Sequence, residues 1–274
     1  MKNLKSIALA VFIGCSPVVA QDALDLDTIA KVDLITGWPL ESGGYMGALR
    51  VTLEPGWKTY WRVANETGIP PRIDWHGSEN LADVNMFWPR PDILTTDRVL
   101  VVGYKNELIL PIEFRPSTAG EDIHVSGSIQ LGVCSDICVP VHVPLDQIIS
   151  FETGPDSFLI ELALADGAEA GAELGYKAHS CRLNEIENGF QLEMQISLPT
   201  DADNSEFIML EITDPTVWIP PAEFTHQGDE IFAETSLLSY ENEAFEIDPN
   251  DLRITLISKK RTIELQGCPL ADAG

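Results

Sequence analysis

Two cysteines separated by three residues are the pair of side chains in this sequence best suited to chemistry. They are Cys134 and Cys138, in the stretch LGVCSDICVPVH. Paired thiols at short spacing support either disulfide exchange or the binding of a soft metal. The β-branched neighbours and the prolines that follow predict a β-hairpin with a three-residue loop at 135–137, rather than a helix. Facing residues of such strands have Cα atoms about 4.5–5.5 Å apart, where a disulfide forms with little movement.

The first twenty residues are typical of a secretory signal peptide. Lys2 and Lys5 precede a short apolar run at 7–13, and small residues lead to Ala20, after which we expect cleavage. A second interpretation is a lipoprotein processing site, in which Cys15 would carry the lipid. The chain is therefore expected in an oxidising compartment outside the cytoplasm, where disulfides persist.

Removal of the signal peptide leaves four cysteines, and their spacing favours two disulfides of different kinds. Cys134 pairs with Cys138, whereas Cys181 and Cys268 bracket a segment of their own. On the chain-entropy estimate, a closed loop of about five residues contributes roughly 2 kcal/mol, and one of about 88 residues between about 4 and 5 kcal/mol. The long bridge is predicted to be structural. The short bridge constrains little, so it can be reduced without unfolding its host, as redox exchange requires.

Two other functions remain open for the cysteine pair. His142 lies four residues after Cys138, and Cys134, Cys138 and His142 are possible ligands of copper or zinc. A tetrahedral site needs a fourth ligand, and no further cysteine or histidine lies near in sequence, so we expect no metal and no other cofactor. The third function is a plain partner-binding protein, in which both disulfides only hold the fold together.

Composition excludes several classes of partner. The formal net charge of −26 repels nucleic acid and anionic lipid headgroups. Beyond the signal segment no apolar run approaches eighteen residues, so no membrane span is expected in the mature chain. The sequence also lacks a nucleophile elbow, a zinc-protease helix motif and a glycine-rich phosphate loop.

Hydrophobic patterning predicts two β-rich domains. Short runs that alternate with period two, separated by Gly and Pro turns, fill 21–152 and return over 179–274, which is typical of β-sandwiches. Between them, 153–178 is rich in alanine and glutamate and predicts a helix at about 156–165 followed by a loose linker. Strands that contain Pro111, Pro140 and Pro144 are expected at sheet edges or bulges, because proline cannot donate to a ladder.

Five segments of the first domain occur in an order typical of one family. They are GWKTYWR (Gly56–Arg62), GIPPRIDWHGSENL (Gly68–Leu81), FWPRPDI (Phe87–Ile93), GYKNELILPIEF (Gly103–Phe114) and LGVCSDICVPVHVPL (Leu131–Leu145). Over roughly 35–150 the chain resembles the N-terminal periplasmic domain of the DsbD thiol:disulfide interchange family, in its ScsB-like and stand-alone forms. The second domain resembles the companion β domain of the longer family members.

The resemblance implies an all-β protein of two immunoglobulin-like β-sandwich domains joined by a short helical linker. It implies that Cys134 and Cys138 form the redox centre, with Cys138 entering the mixed disulfide and Cys134 resolving it. Reducing equivalents would arrive from a thioredoxin-like or membrane-embedded thiol:disulfide oxidoreductase and pass to oxidised periplasmic client proteins. No membrane segment and no Cys-x-x-Cys follow, so a separate protein is expected to be the donor.

In the family, a loop bearing an aromatic cap shields the cysteine pair. The corresponding stretch is about 88–104, where Trp88, Leu94 and Tyr104 are the candidates for the cap. Tyr60, with Trp57 and Trp61 beside it, is expected to add an apolar wall. The three-residue spacing of the cysteines is shorter than in the best-known family member, which is one departure from the family pattern.

Overall fold

A computed structural model of the protein describes residues 26–63, 68–96, 99–240 and 245–270. The predicted signal peptide at 1–20 and Cys15 lie outside these residues. The described part begins with a one-turn helix, α1 (Leu26–Ile29), and all but one of the larger elements that follow are strands. Within the described ranges, no helix has the length and apolar character needed to cross a bilayer.

Ten strands form the first β-sandwich. They are β1 (Ala30–Pro39), β2 (Tyr45–Leu53), β3 (Lys58–Tyr60), β4 (Arg72–Asp74), β5 (Leu81–Met86), β6 (Asp92–Thr96), β7 (Val99–Lys105), β8 (Glu107–Pro116), β9 (Ile123–Cys134) and β10 (Cys138–Ile149). One sheet has the order β1-β2-β8-β5, and the other has the order β10-β9-β3-β7-β6, with β4 paired to β9. Fully buried side chains such as Leu49, Leu110 and Leu131 fill the space between the two sheets.

The strand prolines behave in two ways. Pro140 and Pro144 lie in β10, which is an edge strand as predicted. Pro111 lies in β8, an interior strand between β2 and β5, so the expectation of an edge or bulge was wrong there. The Pro111 carbonyl accepts a hydrogen bond from the Phe87 amide, which lies just beyond the end of β5. Proline has no amide hydrogen to return on that side, so Phe87 and Pro111 are joined by one hydrogen bond instead of two.

A helix joins the two sandwiches, as the sequence predicts. It is α2 (Ser157–Ala165), and its buried Ile160 packs against Ile35, Met46 and Ala48 on the outer face of the first sandwich. The loose linker expected after it is instead ordered: β11 (Glu169–Ala170) pairs in parallel with a strand of the second sandwich, and a 3-10 turn follows at Gly171–Leu174. A two-residue strand leaves no hydrophobic period in the sequence, so patterning could not reveal it.

The second sandwich is also built from two sheets. Its further strands are β12 (Lys177–Ile186), β13 (Gly189–Ser197), β14 (Phe207–Glu211), β15 (Val217–Trp218), β16 (Glu223–Gln227), β17 (Glu230–Ser239), β18 (Arg253–Ile257) and β19 (Thr262–Gln266). The sheets have the orders β11-β19-β18-β14 and β12-β13-β17-β15, with β16 paired to β17. The predicted fold class, all-β with two immunoglobulin-like sandwiches, is confirmed.

The two sandwiches share an apolar contact. Phe207 and Met209 of β14 and Ile257 of β18 are buried together with the core of the first sandwich, while their strand neighbours Ile208 and Leu256 face the second core. Both faces of this sheet are therefore covered. The second sandwich therefore packs directly against the first, in addition to being connected to it through the linker.

Candidate functional site

The two closely spaced cysteines close the last hairpin of the first sandwich. β9 ends at Cys134 and β10 begins at Cys138, and the two residues are direct partners across the ladder. Their Cα atoms are 4.1 Å apart and their sulfurs are joined in a disulfide. In the loop between them the Ser135 amide donates a hydrogen bond of 3.0 Å to the Ile137 carbonyl. The hairpin with a three-residue loop, predicted from the β-branched residues and the prolines that follow, is confirmed.

The two cysteines differ sharply in exposure. Cys134 is 1% exposed, whereas Cys138 is an exposed residue at the start of an edge strand. Ile137, beside Cys138 in the loop, is 59% exposed. The disulfide is therefore open to solvent on the side of Cys138, and Cys134 is the sulfur that the protein covers.

Tyr60 contacts both sulfurs. Its hydroxyl donates a hydrogen bond of 3.1 Å to Sγ of Cys134 and lies 3.4 Å from Sγ of Cys138. Tyr60 is 2% exposed, and burial raises the pKa of its phenol above the ordinary value. The hydroxyl therefore keeps its proton at neutral pH. A hydrogen bond from a neutral donor favours the charged form of its acceptor, here a thiolate on Cys134 once the disulfide opens.

The position of Tyr60 follows from strand pairing. β3 lies between β7 and β9, with Thr59 opposite Val133, and the Thr59 hydroxyl donates a 2.9 Å hydrogen bond to the Gly132 carbonyl. Gly68 lies against the ring of Tyr60, so closely that a Cβ at this position would be 2.5 Å from a ring carbon. The ring of Tyr60 is therefore held between the sheet and the segment that contains Gly68.

The predicted cap residues separate into two groups. Leu94 is buried in one cluster with Tyr60, Val101 and Cys134, so Leu94 and Tyr60 lie at the disulfide. Val101, the ladder partner of Leu94, was not found by sequence reasoning, because only the β6–β7 register places it there.

Trp88 and Tyr104, the other two candidates for the cap, do not lie at the disulfide. Trp88 packs against the core between the sheets, and the Tyr104 hydroxyl donates a 2.8 Å hydrogen bond to the Pro89 carbonyl. Gly103 is the ladder partner of Tyr60, so Tyr104 projects from the opposite face of the sheet. Burial raises the pKa of Tyr104 well above its ordinary value.

A cleft adjoins the disulfide loop. It has a volume of about 260 Å³ and is lined by Gly56, Trp57, Lys58, Leu94, Lys105, Asn106, Ser135 and Asp136. The half-buried Trp57 therefore lies near the cysteine pair, as expected. Trp61 does not, because it is buried in the core of the first sandwich.

His142 lies on the exposed side of β10. Among the residues that the structure describes, no three His, Cys, Asp or Glu side chains come together as a group that could hold a metal ion. In the structure Cys134 and Cys138 are joined as a disulfide, so neither sulfur is a thiolate ligand in this state.

The second disulfide has a different setting. Cys181 in β12 and Cys268 after β19 are joined with a Cα–Cα distance of 5.8 Å, and both residues are buried in the second core. The bond links the two ends of this sandwich across 87 positions of sequence. No external thiol has a direct path to it.

Comparison with known proteins identifies the first sandwich. Residues 29–149 match the family model described as thiol:disulfide interchange protein DsbD, N-terminal. This segment is a DsbD N-terminal-like domain. The predicted resemblance is therefore confirmed.

Most of the chain, the DsbD N-terminal-like domain included, also resembles a solved structure, the N-terminal periplasmic domain of ScsB from Proteus mirabilis. The TM-score is 0.61 at 20% sequence identity, over 87% of this chain and 92% of that one. At this identity the likeness shows a shared fold, which extends beyond the DsbD N-terminal-like domain. No curated protein matches the chain.

Proposed function

We propose that this protein is a periplasmic thiol–disulfide exchange protein and that the Cys134–Cys138 pair of its DsbD N-terminal-like domain is the redox centre. The observation that carries the proposal is the asymmetry of the pair. Cys138 is exposed at the start of an edge strand, whereas Cys134 is buried and accepts the Tyr60 hydrogen bond. One sulfur is thus accessible to a partner, and the other is set up to leave as a stabilised thiolate.

Reduction of the pair takes two exchange steps. A donor thiolate attacks Sγ of Cys138, the Cys134–Cys138 bond breaks, and Cys134 leaves as a thiolate while a donor–Cys138 disulfide forms. A second donor thiolate attacks the donor sulfur of that mixed disulfide, which releases Cys138 and leaves the donor oxidised. Two electrons pass to the pair, and solvent supplies the protons that the new thiolates take up.

Delivery to a client runs in the opposite sense. The Cys138 thiolate attacks a client disulfide, and one client sulfur leaves as a thiolate. The Cys134 thiolate then attacks Sγ of Cys138, which reforms the Cys134–Cys138 bond and releases the second client thiolate. The client gains the two electrons that the pair loses. Tyr60 and Leu94 pack against Cys134 in the oxidised pair.

Two findings support the proposed partners: the family description, a thiol:disulfide interchange protein, and the periplasmic origin of the ScsB domain. The donor is a thioredoxin-like or membrane-embedded thiol:disulfide oxidoreductase, and the acceptors are oxidised periplasmic client proteins. We assign the exchange reaction to the domain at 21–152. We assign a structural role to the buried Cys181–Cys268 bond of the domain at 179–274.

A redox titration with thiol trapping tests the proposal. The protein is equilibrated with defined ratios of reduced to oxidised dithiothreitol, free thiols are alkylated, and mass spectrometry counts the labels on each cysteine. We expect Cys134 and Cys138 to be labelled while far-UV and near-UV circular dichroism remain native. If this pair stays oxidised until the second sandwich unfolds, the protein is not an exchange protein and a purely structural, partner-binding role replaces the proposal.

Single-cysteine variants test the assigned roles. Cys134→Ser leaves Cys138 unopposed and should accumulate a mixed disulfide with a donor or client. Cys138→Ser leaves only the buried thiol and should accumulate much less. The reverse ranking would exchange the roles of the two residues.

A further inference from the structure

Two lysines lie in one row with the disulfide. Lys105 of β7 is the direct ladder partner of Lys58 in β3, and Lys58 is the partner of Cys134 in β9. Cys134 in turn faces Cys138 in β10. Directly opposed residues project from the same face of a sheet, so two ammonium groups and the disulfide share one face over four adjacent strands.

The lysine pair is unexpected on energetic grounds. Like charges directly opposite one another destabilise a sheet. Most other cations of the first sandwich are neutralised, as in the ion pairs of Arg50 with Glu107 and Arg90 with Asp166. In the described part of the chain, no carboxylate forms an ion pair with either Lys58 or Lys105. Neither strand pairing nor ion pairing within the described part of the fold accounts for these two positive charges.

The lysines line the cleft beside the disulfide loop. Of the residues that line it, Asp136 carries the only negative charge, so the lining has a net charge of +1 in a chain of −26. Trp57 and Leu94 supply apolar wall, and Ser135 and Asn106 supply hydrogen-bonding groups. The cleft is therefore a small cationic site with an aromatic side, adjacent to a sulfur that an outside thiol can reach.

We propose that this cleft binds a carboxylate of the exchange partner, carried by a Glu or Asp within a few residues of the partner's reacting cysteine. The inference rests on the proposed function and adds the chemistry of the partner segment: it is acidic. Lysine ammonium groups bind carboxylates without a strict geometry, which suits a site that accepts more than one partner. The rest of the surface repels an acidic segment, so attraction at the cleft selects where the segment docks.

Short cysteine peptides provide the probe. Three acetylated and amidated peptides carry one cysteine flanked on both sides by Glu, by Gln or by Lys. The peptide thiolate attacks Sγ of Cys138 and Cys134 leaves. A second peptide thiol then releases Cys138, so two peptide thiols become one peptide disulfide and the protein gains two thiols. Stopped-flow or quenched mass spectrometry gives the second-order rate constant for each peptide.

The measured quantity is the ratio of the rate constants for the Glu and Gln peptides. We expect Lys58→Gln and Lys105→Gln each to lower this ratio about fivefold at low salt, the size of one close charge pair in water. Lys177→Gln changes the net charge equally at an exposed position on the second sandwich, and it should leave the ratio unchanged. Asp136→Asn should raise the ratio. Added salt of about 0.5 M should reduce all these differences.

Two results would overturn the inference while leaving the proposed function intact. One is a ratio that is the same in the Lys58, Lys105 and Lys177 variants. The other is an equal loss of rate for all three peptides, which would mean that the lysines act on the cysteine thiols themselves. If no peptide reduces the folded wild-type protein, the proposed function is wrong and the inference is overturned with it.

Discussion

Arg62 of the first sandwich and Glu211 of the second are joined by a two-pronged ion pair across the interface between them. The Arg62 Nε donates to both carboxylate oxygens, at 3.0 and 3.1 Å, and Nη2 donates at 2.7 Å. Nη2 also contacts Glu264, and the guanidinium lies 4.1 Å from the ring centroid of Trp61. Arg62 follows Tyr60 by two positions, so the second sandwich holds the chain immediately after the residue that contacts the disulfide.

Loss of this cation should destabilise the protein. Arg62→Met leaves Glu211 and Glu264 close together without their partner at a site where the Arg62 side chain is only 14% exposed. Removing one partner of a buried ion pair lowers the free energy of unfolding by about 3 kcal/mol or more. Urea unfolding should show this loss, whereas Arg115→Met, which breaks an exposed ion pair with Asp83 and Glu113, should change the midpoint little. Equal shifts of the urea midpoint in the two variants would mean that the interface ion pair stabilises the protein no more than an exposed one does.

The two disulfides should differ in their contribution to stability. On the loop-entropy estimate, Cys134→Ser/Cys138→Ser should lower the free energy of unfolding by about 2 kcal/mol, and Cys181→Ser/Cys268→Ser by between about 4 and 5 kcal/mol. The second variant also leaves polar groups in a buried core, which adds to its loss. Urea denaturation of both variants checks the order, and a larger loss for the short bridge would contradict the assignment of roles.

Tyr60→Phe should make the Cys134 thiol harder to ionise. The substitution removes the hydroxyl that donates to Sγ of Cys134 and leaves the ring in place. Without this donor the thiolate loses a hydrogen bond, so the pKa of the Cys134 thiol in the reduced protein should rise and exchange should slow. The pH dependence of alkylation by iodoacetamide, followed on Cys134 by mass spectrometry, measures the change.

Tyr104→Phe is the matched control for the Tyr60 variant. It also removes one buried phenol oxygen, but this oxygen donates to the Pro89 carbonyl on the opposite face of the sheet. We expect lower stability and an unchanged alkylation profile. A profile that shifts equally in both variants would show that the effect comes from loosened packing and not from the hydrogen bond at sulfur.

Stability should fall at alkaline pH. Burial raises the pKa of Tyr104 well above its ordinary value, and burial also raises the pKa values of Tyr60, Tyr45 and Tyr176. These phenols retain their protons in the folded state and lose them in the unfolded chain above about pH 10. Their contribution is therefore complete below that pH and declines above it. Urea midpoints measured from pH 8 to 11 should decrease above pH 10, with a shallower decrease for Tyr104→Phe.

Much of the candidate site could be predicted from local sequence. The β-branched residues around Cys134 and Cys138 and the three-residue loop specify a hairpin, and a hairpin places its flanking residues opposite one another whatever the rest of the chain does. The alternation of the apolar runs likewise specified an all-β protein, and the apolar spacing within about 156–165 specified the helix. Each of these features depends on neighbours within about a dozen residues.

Only the tertiary structure decided which side chains meet the disulfide. Tyr60 is 74 positions from Cys134 in sequence, and its selection over Tyr104 depends on the β3–β7 register, which puts Gly103 opposite Tyr60. The same register aligns Lys105 and Lys58 with the cysteines. A shift of one residue would turn each side chain to the other face. Sequence therefore determined the elements and the chemistry of the pair, while the alignment of distant strands, set by packing of the whole sandwich, determined its surroundings.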